Sequence, residues 1–329
     1  MTDICFLSYD KDEYPYFSAY SVDEEDGSIS PKYYIYPPSP IKQHGIFRGA
    51  TCNGVFHFMN DHDQHMMWNL TTNECKALPM SFDRRPRLDS PVVASGMWYD
   101  HTRENYKLLQ FVRNYAIFEE DEADDSIWLY SLKSNSWKTL PRMFSPASTC
   151  TNDVFYCGAS FGESECIISF NFSTETLSKI HLPLLDKTKC YQIMEYKGLL
   201  SIVVYSSMFG TNREPSEYEL WVMNDGLWSR ESVFHVCGVH EPVWFSRNGR
   251  FLYFESFRDE VVVFDRATGK SKNLGIHCYS TRLKIYPLAE SFVQLNGVSL
   301  VEDLEELVTV EEELVRVEEE EEDDDYGYY

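Results

Sequence analysis

The residues best suited to chemistry are three histidines and two aspartates that fall within one short stretch of the chain. They are His57, Asp61, His62, Asp63 and His65. Imidazole nitrogens and carboxylate oxygens are common ligands of zinc, so this cluster could hold zinc or another divalent metal. The same pattern fits the polar loop of a β-hairpin whose preceding strand carries His57, and nothing elsewhere completes a ligand set. We therefore expect neither a bound metal nor a cofactor.

Sequence motifs of catalysis give no support to an enzyme. The chain contains no H-E-x-x-H zinc motif, no phosphate-binding P-loop and no evident pair of catalytic carboxylates. The segment Ser-Asn-Ser-Trp at residues 134–137 has a faint likeness to the Asp-box of sialidases, but it lacks the aspartate and the glycine of that motif. We expect a protein that is not an enzyme and has no catalytic residues.

The charge balance is strongly acidic, since 53 Asp and Glu oppose 29 Lys and Arg for a net charge of −24. Residues 301–329 hold fifteen of the acids and one base, which leaves 38 acids and 28 bases, a net of −10, in residues 1–300. An acidic surface repels phosphate backbones, which argues against nucleic-acid binding. It favours a basic protein as the partner.

Cysteine usage and the lack of long apolar segments indicate an intracellular protein. Nine cysteines are scattered singly with no C-x-x-C pair, which is typical of thiols in a reducing compartment. The first residues show neither the basic nor the apolar region of a signal peptide. No apolar run approaches the ~18–20 residues that span a bilayer. We expect a soluble protein of the cytoplasm or the nucleus that does not bind membranes.

The chain repeats one β-hairpin unit that is followed by a short third strand. Each unit has an apolar strand, a polar loop, a second strand rich in aromatic or β-branched residues, and a turn. The clearest unit has its strands at residues 250–254, 260–265 and 271–276. In its turn, Asp265 can accept hydrogen bonds from the turn backbone and Gly269 tolerates a positive φ.

Six such units follow one another at intervals of roughly 40–60 residues. Their second strands are marked by Tyr20, Trp68, Tyr130, Phe170, Trp221 and Phe264. Six sheets packed in a ring bury the faces that a single sheet would leave exposed. The spacing therefore predicts an all-β fold, a single six-bladed kelch-like β-propeller. A β-sandwich of several sheets is the alternative.

The C-terminal part of the chain is expected to close the ring and then to leave it. Residues 282–286 and 291–295 have the pattern of strands that would lie beside the N-terminal unit. We place the propeller domain at residues 1–300. Residues 301–317 have apolar positions that suit a short amphipathic helix, and the composition of residues 318–329 is typical of an acidic disordered tail.

Six segments in the same order carry a resemblance to a known family. Residues 52–56 (Cys-Asn-Gly-Val-Phe) resemble a CNGL strand, and residues 289–297 (Ala-Glu-Ser-Phe-Val-Gln-Leu-Asn-Gly) resemble an ESLVSLNG segment. The other matches lie at residues 68–79, 95–108, 130–137 and 218–223. On these residues the chain resembles the plant F-box-associated domains, of the F-box/kelch and S-locus F-box-like type, over about residues 4–297.

The resemblance implies a domain that holds target proteins for an SCF-type E3 ubiquitin ligase. Relatives similar to S-locus F-box proteins would bind secreted ribonucleases in self-incompatibility. Such proteins begin with a helical F-box that docks a Skp1-type adaptor, whereas the first strand pattern here begins at Ile4. We therefore expect no binding to that adaptor. The alternative is an F-box-less interaction protein that competes for or shields the same targets without ubiquitination.

We expect the partner to bind one face of the propeller, at the loops that join the first and second strands of the six units. These loops emerge on the same face of the ring, are rich in acids and carry interleaved aromatic residues. The aromatic side chains would act as anchors and the carboxylates as steering charge. The alternative is that these loops are only solvated and acidic, as the whole chain is. The candidate partner-binding residues are Tyr14, Asp63, Glu119, Glu120, Asp121, Phe161, Phe209, Arg213, Phe257 and Asp259.

Overall fold

Regular secondary structure is entirely β in the part of the chain that the computed structural model describes. The described residues are 2–9, 15–37, 50–59, 64–79, 92–112, 126–140, 148–151, 153–161, 164–186, 188–206, 215–277 and 285–299. The predicted helix at 301–317 and the predicted acidic tail at 318–329 lie outside these residues.

The strands follow one another along the described chain with no helix between them. They are β1 (Thr2–Tyr9), β2 (Pro15–Val22), β3 (Ile29–Ile35), β4 (Ala50–Cys52), β5 (Val55–Met59), β6 (His65–Asn69), β7 (Glu74–Ala77), β8 (Val92–Asp100), β9 (Asn105–Val112), β10 (Ser126–Ser131), β11 (Ser136–Leu140), β12 (Ser148–Thr151), β13 (Val154–Phe161), β14 (Ser164–Asn171), β15 (Thr176–His181), β16 (Lys189–Tyr196), β17 (Leu199–Ser206), β18 (Ser216–Asn224), β19 (Leu227–Val236), β20 (Val239–Phe245), β21 (Phe251–Ser256), β22 (Glu260–Asp265), β23 (Lys270–His277), β24 (Ile285–Pro287) and β25 (Val298–Ser299).

The strands form six antiparallel sheets, which are the blades of a propeller. Blade 1 has the order β24-β1-β2-β3, and blade 2 consists of β4 to β7 with β25 at its outer edge. Blades 3 to 6 are each made of four consecutive strands, beginning with β8, β12, β16 and β20. These first strands are the innermost, and neighbouring ones from β4 to β20 pack against each other around the ring. The prediction of a six-bladed all-β propeller is confirmed.

Blade 1 combines strands from the N-terminal and the C-terminal parts of the described chain. Its inner strand β24 comes from the C-terminal part and pairs with β1 in the register Ile4↔Pro287, Cys5↔Tyr286 and Phe6↔Ile285. The predicted closing strand around residues 282–286 therefore exists at Ile285–Pro287. Because this C-terminal strand closes the ring, the stability of blade 1 depends on Ile285–Pro287.

The second predicted closing strand, at residues 291–295, is wrong. These residues have no strand structure and do not lie in blade 1. They run across blade 2 instead, where the following strand β25 pairs with β7. Burial alternates along this segment, since Ser291 and Leu295 are buried while Phe292 and Gln294 are exposed.

The core lies between the blades and contains many aromatic rings. Phe17 of blade 1 contacts Phe56 of blade 2 with a centroid separation of 5.1 Å, and Tyr218 of blade 5 contacts Phe254 of blade 6 at 5.0 Å. Edge-to-face and offset contacts of this kind stabilise a core beyond the area that they bury. Aromatic side chains of the sequence thus fill much of the space between neighbouring sheets.

The turn between β22 and β23 has the geometry that the sequence predicts. The Asp265 carboxylate accepts a hydrogen bond from the Ala267 N–H at 2.9 Å, and Gly269 has a φ of 69°. Arg250 donates two hydrogen bonds to the same carboxylate, at 3.0 and 2.8 Å. These bonds, first among them those from Arg250, hold the pKa of Asp265 well below its usual value.

Candidate protein-binding face

The common strand order of the blades gives the ring two different faces. The tight turns between the first and second strands, and between the third and fourth, lie at one end of the blades, which we call the turn face. The opposite end is the loop face. The strands that flank residues 10–14, 60–64, 113–125, 162–163, 207–215 and 257–259 end at the loop face. These segments join the second and third strands of the blades, so the described strand ends that flank them share one face.

Most of the predicted partner-binding residues lie outside the described part of the chain. This applies to Tyr14, Asp63, Glu119, Glu120, Asp121, Phe209 and Arg213. Phe161 is the last residue of β13, and the structure describes its backbone only. Phe257 and Asp259 are brought together in one turn of blade 6. The choice of these ten residues as a binding site remains a prediction.

The turn at residues 257–259 presents an acid beside an aromatic ring. Phe257 is half-buried and meets the His240 ring edge-on, with 5.6 Å between the centroids. Asp259 is exposed, has a φ of 57°, and its N–H donates to the Ser256 carbonyl at 3.2 Å. The carboxylate thus projects from a fixed backbone, next to an aromatic side chain that is already packed.

The described part of the loop face carries a negative field. Partial burial and then the nearby carboxylates of Glu241 and Glu165 raise the pKa of the Cys190 thiol. Burial and then Glu165 raise the pKa of Tyr191, and burial and then Glu241 raise the pKa of Tyr205. Glu165, Cys190 and Glu241 belong to blades 4, 5 and 6, so the field extends over three neighbouring blades.

Lys189, which precedes Cys190 in the chain, is paired with two carboxylates of the same blade. Lys189 makes a short ion pair with Glu219 and a longer one with Glu217, at 3.6 Å. The hydrogen bond to Glu219 raises the pKa of Lys189. Arg230 lies 3.4 Å from the second oxygen of Glu219. Within blade 5 these two cations are thus matched by Glu217 and Glu219.

The connection between blades 4 and 5 adds an apolar residue that the predicted binding site does not include. Leu184 is 104% exposed, whereas its neighbours Leu182 and Leu185 are partly buried against the core cluster shared by these blades. The connection joins β15 to β16 and so lies at the loop face. The run Leu-Pro-Leu-Leu at residues 182–185 is the signal in the sequence that could have identified it.

Two members of the histidine cluster at residues 57–65 lie in the described part of the chain. His57 and His65 are both buried, on β5 and β6, and His57 Nε2 lies 3.3 Å from His65 Nδ1. Gln110 Nε2 lies 3.3 Å from the same Nδ1 atom. Residues 60–63, which include the other members of the cluster, lie outside the described residues. The two described histidines are thus packed as a hydrogen-bonded pair in the interior.

A five-residue segment matches the G-x-S-x-G pattern of nucleophile elbows, at residues 158–162. That motif needs a sharp turn from a strand into a helix, which exposes the serine. Here Gly158 pairs with Ile167 and Ser160 pairs with Glu165 in the regular ladder of β13 and β14. The backbone is extended through Ser160, so the match has no elbow geometry.

Two kinds of site are missing from the described residues. They contain no group of three or more His, Cys, Asp or Glu residues that could hold a metal ion. Within the same ranges, no helix is long and apolar enough to cross a bilayer.

The described strands define a six-bladed β-propeller with an acidic loop face, in which five blades have four strands and blade 2 has a fifth at its outer edge. The family described as F-box associated beta propeller domain matches residues 3–282. That match covers most of the chain, and the chain belongs to this family.

Curated relatives are F-box proteins of Arabidopsis thaliana. An F-box/kelch-repeat protein is 23% identical over 238 residues, which cover 67% of this chain and 61% of that protein. An F-box/WD-40 repeat-containing protein is 24% identical over 260 residues, which cover 71% of this chain and 60% of that protein. The chain thus spans about three fifths of the length of these relatives. Among solved structures, oligogalacturonate lyase from Vibrio parahaemolyticus is 7% identical with a TM-score of 0.47, covering 85% of this chain and 80% of that one.

Proposed function

We propose that this chain is the target-recognition domain of an SCF-type E3 ubiquitin ligase system and is not itself catalytic. Its family supports this role, because the named relatives are F-box proteins that carry the matched region. In this proposal the propeller binds a target protein through the loop face. Delivery of that target to a ligase would also require the chain to bind a Skp1-type adaptor. A pull-down of that adaptor with the full chain tests this separate property.

The observation that carries the binding proposal is the negative field of the loop face. Glu165 and Glu241 act on the same thiol, Cys190, from either side of blade 5. A surface of this kind accelerates association with a basic partner and slows association with an acidic one. The exposed Leu184 adds an apolar side chain to the same face.

Charge reversal on the loop face tests this proposal. The partner is first isolated by affinity purification from the source tissue and identified by mass spectrometry. The triple variant Glu119→Lys, Glu120→Lys, Asp121→Lys is then expected to associate with it about tenfold more slowly at low salt. The difference should shrink as salt is raised, because exposed charges are screened beyond about 10 Å at 0.1 M salt. Stopped-flow fluorescence over a salt series measures both effects.

A matched control places the same charge change on the turn face. Glu25, Glu104 and Asp225 are exposed residues of tight turns there, and their reversal to lysine changes the net charge equally. The control should retain most of the association rate of the unaltered protein. Equal slowing by both triple variants would show that only the net charge matters. An unchanged rate in the loop-face variant would exclude these acids as steering groups.

A further inference from the structure

The residues that follow the closing strand β24 form a strap across the turn face of blade 2. This strap, residues 288–299, runs from the inner strand of the blade to its outer strand. Near the inner strand it passes directly over Gly54, where an added Cβ would lie 2.3 Å from the Ala289 carbonyl oxygen. At the outer strand it ends as β25, which pairs with β7 through Val298↔Cys75 and Ser299↔Glu74.

Side chains of blade 2 hold the backbone of the strap at its centre. The Ser291 N–H donates to Thr71 Oγ1 at 2.9 Å. Asn69 donates from Nδ2 to the Val293 carbonyl at 2.9 Å, and the Asn69 side chain is fully buried. Both bonds are made to main-chain groups, so they would serve any extended segment that follows this path.

One carboxylate holds the next part of the strap. Glu74 accepts hydrogen bonds from the Leu295 N–H and the Gly297 N–H, at 2.7 Å each, with one oxygen for each bond. Lys76 donates from Nζ to the Asn296 carbonyl at 3.3 Å. Hydrogen bonds to charged groups are stronger than those between neutral groups. Residues 295–297 are therefore recognised through their main chain by two charged side chains of β7.

Three positions of the strap are constrained individually. Leu295 is 0% exposed and inserts between blades 2 and 3, where it packs in one cluster with Val55, Met67 and Leu108. Gly297 approaches β7 so closely that an added Cβ would lie 2.0 Å from the Cys75 carbonyl oxygen. Phe292, by contrast, is 77% exposed. The groove thus selects a buried serine at position 291, whose Oγ lies 3.1 Å from the Tyr106 hydroxyl, then a leucine four residues later and a glycine two residues after that.

We propose that this groove of blades 2 and 3 is a peptide-binding site, for which the chain's own strap is the resident ligand. The partner that it fits is an extended segment of another protein with leucine and glycine at this spacing, which would add to β7 as a strand. Main-chain recognition, a buried anchor and addition to a sheet edge are the elements of such binding. The site lies on the turn face, so it is separate from the proposed loop-face function.

The resident strap explains why the groove is closed in the isolated chain. It is joined to β24 through residues 288–290 only, and the Leu288 N–H donates to the Asp3 carbonyl at 2.9 Å. A ligand tethered so closely has an effective concentration on the order of millimolar. A competing segment in another protein therefore gains access when the strap is weakened or when its own local concentration is comparably high.

A labelled peptide tests the proposal on the full chain. The probe is a fluorescein-labelled peptide with the sequence of residues 288–299, and its binding is followed by fluorescence anisotropy. The variant Leu295→Ser, Gly297→Val cannot seat its own strap, so it should bind the probe at least about tenfold more tightly than the unaltered chain does. The same peptide carrying L295A should not bind. Adding Glu74→Gln to the protein variant should weaken probe binding by about tenfold.

Hydrogen exchange provides a second test that does not depend on the variant's fold. In the unaltered chain, an excess of unlabelled peptide should accelerate amide exchange at residues 291–297, because the peptide competes with the strap for the groove. The L295A peptide should leave exchange unchanged. A folded variant that binds no probe would overturn the proposal. If the variant does not fold, unchanged exchange in the unaltered chain overturns it equally.

Discussion

Replacing Lys107 by methionine is expected to lower the free energy of unfolding by about 3 kcal/mol. Lys107 is buried at the junction of blades 3 and 4, with its side chain 7% exposed. Its Nζ donates to the Phe172 carbonyl at 2.7 Å and to Glu175 at 2.9 Å, and it lies 5.7 Å from the Trp98 ring centroid. Methionine keeps the apolar stem but leaves a buried carbonyl and a carboxylate without this donor. Urea unfolding followed by tryptophan fluorescence measures the loss.

Lys138 offers a matched control because it pairs with the same carboxylate. Its side chain is 54% exposed, and it contacts the other oxygen of Glu175. Exposed ion pairs contribute about 0–1 kcal/mol, so Lys138→Met should cost no more than that. Equal losses for the two variants would contradict the view that burial makes Lys107 important. The comparison therefore separates the removal of a charge from the removal of a buried donor between blades.

Glu175 connects both lysines and shows how opposing effects combine. Partial burial raises its pKa, but the hydrogen bonds from Lys138 and Lys107 outweigh burial and leave the pKa below its usual value. None of this is visible in the sequence, where Lys107 and Glu175 belong to different repeat units. Contacts between blades depend on which side chains face each other after the ring closes. Hairpin patterns specify the blades, but they do not specify these cross-blade pairs.

The blade count, by contrast, follows from local signals. Each unit contains two strands separated by a loop and a turn whose residues favour the required φ values, as at Asp265 and Gly269. Such signals act within about ten residues, so they can be read without knowledge of the fold. The inner strands are harder to foresee, because β4 has three residues and β24 has three. Short strands carry too little periodicity to be recognised alone.

The strap shows where periodicity misleads. An alternating apolar pattern at residues 291–295 predicts a strand, because alternate side chains of a strand face opposite sides. A similar alternation of burial results when a segment lies in a groove, with Ser291 and Leu295 buried and Phe292 and Gln294 exposed. The hydrogen-bonding partners distinguish the two cases. Asn69 and Glu74 lie more than 220 residues away along the chain, and nothing in the sequence links them to the strap.

For the candidate binding face, the sequence predicts the charge but not the full surface. Acids cluster in loops that any hairpin pattern would place together, so their common face could be foreseen. Leu184 and Glu241 belong to a connection between blades and to an inner strand. Their place on the loop face depends on the direction of the inner strands, which only the closed ring defines. Local hairpin patterns thus predict a common face for the acidic loops, whereas only the closed ring shows that Leu184 and Glu241 lie on it.

Acidification is expected to destabilise the propeller through the buried pair His57 and His65. Burial lowers the pKa of His65 to about 4, and burial followed by the neighbouring His65 lowers the pKa of His57 well below its usual value. In the unfolded chain both pKa values return to about 6.5. The unfolded state therefore binds more protons as the pH falls below 6.5, and stability that is complete above this pH is lost progressively toward pH 4.

The size of this loss makes it measurable. Between pH 7 and pH 5 the contribution of His65 alone falls by about 2 kcal/mol, and His57 acts in the same direction. The variant His57→Gln, His65→Gln should have a flatter dependence of unfolding free energy on pH, as measured by urea unfolding at each pH. The variant His181→Gln, at an exposed histidine of β15, should follow the unaltered protein. Parallel curves for the double variant and the unaltered protein would mean that the buried pair does not govern acid sensitivity, which would then arise from the carboxylates.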